Sequence, residues 1–117
     1  MVRYPFCYPI LPSHKIQNEL ELFKENILKI VPAEAIYLFG SYAYGATNKE
    51  SDLDIYVVVP DDVSDLGELF ADIRLLWRKK PVSLDLLMGH SSVFNRRKNG
   101  PTLERVIAQK GTMLYGA

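Results

Sequence analysis

The chain has 117 residues, 48% of them apolar, with 14 basic side chains balanced by 14 acidic ones. That length suits one domain with a buried core, and that apolar share excludes a disordered chain. Zero net charge argues against a dedicated nucleic-acid binder, which needs a basic excess to displace counterions from phosphates.

Residues 1–12 place Pro5, Pro9 and Pro12 among Tyr4, Phe6, Tyr8, Ile10 and Leu11. Proline at this density forbids a helix, so an extended segment is expected, packing on a single domain over residues 13–117. Ser13 is a candidate cap for a helix reaching about residue 31, with Pro32 as its stop. Ile16, Leu20, Phe23, Ile27 and Ile30 recur at three- and four-residue steps, giving that helix one apolar stripe. Residues 35–39, AIYLF, then read as a strand running into the turn Gly40-Ser41. A short helical or looped passage follows, and a second strand opens on Asp52 and Asp54 and runs apolar to Val59.

Pro60-Asp61-Asp62 ends that strand, and Asp61 or Asp62 is expected to start a helix to about residue 80. Its stripe is Leu66, Leu69, Phe70, Ile73, Leu76 and Trp77. Asp61, Asp62 and Asp65 would sit at its positive end, and Arg78, Lys79 and Lys80 at its negative end. The basic triplet reads first as a solvated helix end. A third strand over residues 81–88 carries Asp85 among apolar neighbours, where burial would be costly without a partner. The polar segment 94–100 holds Arg96, Arg97 and Lys98, open between a solvated loop and contact with a triphosphate, an acceptor or a partner protein. Pro101 fits the first turn of a helix to Lys110, with Leu103, Val106 and Ile107 inward and Gly111 closing it. Residues 112–115 suit a terminal edge strand. The fold expected is α/β: a small mixed β-sheet with helices packed on one face, the other left open around Asp52, Asp54 and Asp85.

The chemistry concentrates in residues 35–59. Asp52 and Asp54 are two apart, so in a strand their side chains leave one face, with Cα atoms roughly 6–7 Å apart. Bare carboxylates at that spacing repel by about 2–3 kcal/mol at an effective dielectric near 20. A divalent cation turns that repulsion into attraction, and Mg²⁺ is typically held by one or two carboxylates plus substrate phosphates. An isolated Asp-x-Asp is more often an Asx-turn, here at Ser51-Asp52, on a solvated edge. Gly40 after a strand lets the backbone approach a ligand, while Ser41 can cap a helix or hydrogen-bond a phosphate oxygen. Taken alone, that pair is also an ordinary strand-to-helix turn.

Gly40-Ser41, ten residues, then Asp52-x-Asp54 leading an apolar strand resembles the signature of polymerase-beta-like nucleotidyltransferases. At this length the chain is most similar to the minimal nucleotidyltransferases found beside HEPN-domain partners. The resemblance spans about residues 16–116. It implies that Gly40 and Ser41 hold the phosphates of ATP or another nucleoside triphosphate. It further implies that Asp52 and Asp54 ligate two Mg²⁺ ions (or Mn²⁺), with Asp85 as the third carboxylate. The activity implied is transfer of a nucleoside monophosphate, AMP in the first instance, to an acceptor hydroxyl on a HEPN-type partner, as an antitoxin. Many minimal members read Gly-Ser-x-Ala-Arg-Gly, whereas Tyr44 stands here in place of the arginine. A second reading stays open: a binding module that neutralises its partner by docking, with weak or no chemistry.

Cys7 cannot form an internal disulfide, and His14 and His90 are too few for a zinc site. No apolar run reaches membrane-spanning length and no signal peptide is evident, so a cytoplasmic protein is expected. The oligomeric state is left open, self-association included.

Overall fold

In the computed structural model, residues 14–44, 52–78, 80 and 82–116 are described. Residues 1–13, with the extended segment and Ser13, lie outside them, as do Gly45, Lys79 and Pro81. The elements run α1 (His14–Ile30), β1 (Ala35–Phe39), α2 (Ser41–Tyr44), β2 (Leu53–Val59), α3 (Leu66–Leu76), β3 (Leu84–His90), α4 (Ser91–Arg97), α5 (Leu103–Lys110) and β4 (Thr112–Gly116). The four strands form one mixed sheet in the order β3-β2-β1-β4. Strand β1 is antiparallel to both β2 and β4, whereas β2 and β3 are parallel. A parallel pair needs a crossover rather than a hairpin, and α3 supplies it. No described helix is long and apolar enough to cross a membrane.

Period-two alternation divides the core between the two faces of the sheet. Ile36, Leu38, Leu53, Ile55, Val57, Val59 and Leu86 face α1 and α3, as expected. Leu20, Phe23 and Ile27 of α1 meet Ile73 and Trp77 there, with the rings of Phe23 and Trp77 5.0 Å apart. Ile30 departs from the expected stripe. It is exposed, and Val31 takes the buried position at the helix end.

The second face carries helices too, which extends the one-faced arrangement expected. Tyr37, Phe39, Tyr56 and Val58 are covered by Phe94 of α4 and Ile107 of α5. Residues 91–97 are thus helical rather than a polar loop. Phe94 stacks on Tyr37 at 5.5 Å and tilts against Tyr56 at 5.2 Å. Of the three residues expected inward on α5, only Ile107 is buried, while Leu103 and Val106 face out. Because a single phenyl ring anchors α4, Phe94→Ala should cost about 3–5 kcal/mol. A urea titration reads that as a lower midpoint; a loss below about 1 kcal/mol would show that α4 contributes little to the fold.

Helix α3 begins later than the aspartates suggested. Asp65 is its N-cap and accepts the Glu68 N–H at 3.0 Å. Asp61 instead serves α4: its Oδ1 accepts the Ser92 N–H at 2.9 Å, and that bond holds its carboxyl below the usual range. The turn after β2 is therefore tied to the start of α4. His90 Nε2 lies 2.7 Å from the carbonyl oxygen of Val63 in the same junction.

Candidate functional site

Strand β1 delivers the chain to Gly40, whose φ of 72° lies in the left-handed region that disfavours any residue with a Cβ. A second constraint acts there. A Cβ on Gly40 would fall 1.9 Å from Asp54 Oδ2, so the carboxylate rests directly on the bare Cα. The register explains this, because Phe39 pairs with Asp54 and Gly40 follows it. Ser41 opens α2, and the Ala43 N–H closes the turn onto the Gly40 carbonyl at 3.0 Å.

The parallel pairing of β2 with β3 places Asp54 beside Asp85. Their carboxyl groups leave the same face of adjacent strands, and the Asp54 carboxyl is pushed up to about 6. Burial is the main cause, followed by the charge of the neighbouring Asp85 and the more distant charge of Asp52. Asp52 lies just ahead of β2 and is exposed. Its charge also reaches the buried Tyr42 of α2, whose phenol is raised first by burial and then by Asp52. Asp54, Asp85, Asp52 and the α2 turn thus meet at one end of the sheet. The remainder of that face lies under α4 and α5. Asp85 is exposed, as a face left open around it requires, and the burden of burial falls on Asp54.

Among the described residues, no three His, Cys, Asp or Glu side chains form a group that could hold a metal ion. What the site offers is a neighbouring pair of carboxylates with a third negative charge nearby. An all-oxygen donor set of this size suits a hard cation that completes its shell with water and phosphate oxygens. A strained carboxyl pair is also what a bound cation would relieve.

Within the basic segment after β3, Arg97 has a structural role. Arg97 Nε bonds Glu104 Oε1 at 3.0 Å, while the Tyr56 hydroxyl donates to Glu104 Oε2 at 3.3 Å. Burial raises the Glu104 carboxyl, but the bond and charge of Arg97 outweigh it and hold it below its usual range. Tyr56 is pushed up to about 12, by burial first and then by Glu104. Arg97 therefore fastens α4 to α5. Tyr42, facing Asp52, is a site residue that sequence reasoning did not single out; its only signal was its place two residues after Gly40.

The raised Asp54 carboxyl makes stability depend on pH. Unfolded, this group ionises near 3.8; folded, it does so near 6, so its contribution falls as pH rises between those values. Without divalent cation, Asp54→Asn should therefore be more stable than wild type at pH 7.5, by about 1–2 kcal/mol after allowing for partial exposure. The gain should shrink at about pH 5. Thermal unfolding at both pH values checks this, and a destabilised Asn variant at pH 7.5 would refute the strain.

Known proteins share this arrangement of strands and helices. A nucleotidyltransferase-domain profile matches residues 20–113. The chain is 38% identical over 97 residues to the protein adenylyltransferase MntA of Shewanella oneidensis, covering 83% of this chain and 62% of that protein. It thus spans less than two-thirds of that relative's length. A provisionally named protein adenylyltransferase of Methanocaldococcus jannaschii is 32% identical over 80 residues, 68% of this chain and 76% of the relative. Among solved structures, a toxin-antitoxin with AMP-PNP aligns with a TM-score of 0.54 at 24% identity, covering 86% of this chain and 74% of that one. A mutant of the toxin-antitoxin MntA-HpeT aligns at 0.56 and 24% identity, over 83% of this chain and 73% of that one. At such identities these structures bear on the fold alone. Together with the profile match over most of the chain, they place it in the nucleotidyltransferase domain family, with the polymerase-beta-like fold.

Proposed function

We propose that this chain transfers AMP from ATP to a hydroxyl group on a partner protein, releasing pyrophosphate. The observation that carries the reading is the stacking of Asp54 on Gly40 with Asp85 paired beside it in the next strand. That places carboxylate oxygens and a glycine turn at one point, where a triphosphate and its cations need both. Gly40 and Ser41 would hold the β- and γ-phosphates at the start of α2. Asp52 and Asp54 would hold Mg²⁺ or Mn²⁺ with the phosphates, and Asp85 would hold the ion on the acceptor side. When bound, the cations neutralise charge developing on the phosphoryl oxygens and lower the pKa of the acceptor hydroxyl.

In the transfer, the acceptor oxygen forms a bond to the α-phosphorus as the bond to the β-phosphate oxygen breaks. The hydroxyl proton passes to a carboxylate, with Asp85 best placed because it is the exposed member of the pair. A protein acceptor is supported by the names of the relatives, two of which are called protein adenylyltransferases. The sequence resemblance points further, to a HEPN-type partner whose tyrosine receives AMP. An added nucleotide would put bulk and negative charge where such a partner must bind RNA phosphates, which would silence it. Intact mass after incubation with each nucleotide, Mg²⁺ and a co-purified partner tests this. The partner should gain about 329 Da per adenylyl group transferred. If no mass is added while an Asp52→Asn, Asp54→Asn double variant still neutralises the partner, docking alone is the function.

A further inference from the structure

The candidate site is laid out along one row of the sheet. Phe39, just before Gly40, pairs with Asp54, and Asp54 pairs with Asp85. The glycine turn, the half-buried carboxylate and the exposed one therefore follow one another across β1, β2 and β3. At about 4.8 Å per strand the row spans roughly 10 Å. Phe39, Asp54 and Asp85 leave one face of the sheet. Phe39 and Tyr56, the latter two residues from Asp54, belong to the cluster under α4 and α5. Leu87, two residues from Asp85, packs against that same cluster. Phosphoryl transfer sets the attacking and leaving oxygens roughly in line. With the β- and γ-phosphates at Gly40 and Ser41, the leaving oxygen points toward β1, so the attacking hydroxyl comes from the side of β3. Beyond β3 no further strand stands among the described residues.

The backbone of β3 can receive a strand on that side. The Leu53 N–H donates to the Ser83 carbonyl at 2.7 Å, which fixes the alternation along the parallel pair. Ser83, Asp85 and Leu87 turn their backbone groups toward β2, while Leu84 and Met88 turn theirs outward. Both of these residues are half-buried, and among the described residues no hydrogen bond reaches their outward N–H groups. A segment paired with this edge sets one side chain opposite Asp85 on the same face, with Cβ atoms about 4.5–5.5 Å apart in the antiparallel case. We propose that the acceptor protein presents its hydroxyl on an extended segment that adds to the outer edge of β3, the hydroxyl-bearing residue in register with Asp85. Main-chain bonds then hold the segment, and its alternate side chains face the site. The inference rests on the reading of a protein acceptor and states how that acceptor is held.

Two measurements test this with one probe, a peptide of about ten residues, the reach of a strand, built of valine and threonine with lysine ends and a central tyrosine. In the first, the peptide is added to the isotope-labelled protein with Mg²⁺ and AMP-PNP, and amide exchange is followed by NMR. Exchange at Leu84 and Met88 should slow about tenfold or more, while Asp85 and Leu87, already bonded to β2, should not change. In the second, intact mass follows transfer from ATP to the peptide and to two N-methylated forms. One is methylated at the tyrosine and every second residue from it, the other at the residues between. One form should lose transfer about tenfold or more and the other keep it, because a paired strand turns only alternate N–H groups to its neighbour. Three results would overturn the proposal: transfer to a co-purified partner but not to the plain peptide, no slowing at Leu84 and Met88, or an equal response of the two methylated forms. Wild type that binds no Mg²⁺ and AMP-PNP, or modifies neither peptide nor partner, would instead sink the transferase reading.

Discussion

Gly40→Ala should abolish nucleotide transfer while leaving a folded protein. Two independent costs meet at this residue. The left-handed backbone, φ 72°, strains any L-residue by about 1–2 kcal/mol, which a domain of this size survives. The larger cost is local, because the new methyl would lie 1.9 Å from Asp54 Oδ2 and 2.9 Å from its Cγ. Asp54 must therefore rotate away, or β1 and β2 must separate. Displacing a reacting group by about 1 Å costs on the order of a hundredfold in rate, so a fall of that size or more is expected. Gly89→Ala is the matched control. Its methyl would meet the Tyr56 hydroxyl at 2.4 Å, far from the carboxylates, and would disturb the bond to Glu104. That variant should lose stability but keep its affinity for the Mg²⁺ nucleotide. If Gly40→Ala binds nucleotide and turns over as wild type does, the contact between Gly40 and Asp54 has no part in the chemistry.

The contrast between those two glycines shows what the sequence could convey. Gly40-Ser41 and Asp54 were legible because short-range geometry sets them: a turn after a strand, and alternation along the next, which begins at Leu53 rather than at Asp52 as expected. The stripe of α1 was legible for the same reason, since Ile16, Leu20, Phe23 and Ile27 repeat over several turns. Helix α4 was not. Seven residues with one buried apolar side chain, Phe94, give too few turns for a period to emerge. The two exposed apolar residues of α5, Leu103 and Val106, carry the pattern of an inward face without the burial. Asp61 capping α4 from 31 residues away left no local trace either. Most consequential is the parallel register that sets Asp54 beside Asp85, a pairing across a helical crossover that spacing alone does not determine. The sequence placed Asp85 in the site by resemblance. Its exposure, and the transfer of strain to Asp54, belong to the tertiary structure.

Asp85→Asn then separates binding from chemistry. In the proposed scheme the triphosphate is held by Gly40, Ser41 and the cation on Asp52 and Asp54, so its affinity should change only a few-fold. Transfer should fall on the order of a hundredfold or more, because the group that would hold the acceptor-side ion and take the hydroxyl proton is lost. The same substitution should stabilise the protein without cation at pH 7.5. It removes the charge that ranks second, after burial, in raising the Asp54 carboxyl. A merely structural role for Asp85 predicts the reverse, a less stable variant whose activity falls no further than its folded fraction. Calorimetry with Mg²⁺ and AMP-PNP, single-turnover transfer at saturating nucleotide and a thermal melt give the three readouts. Wild-type turnover in the variant would remove Asp85 from the mechanism and leave Asp52 and Asp54 to carry it.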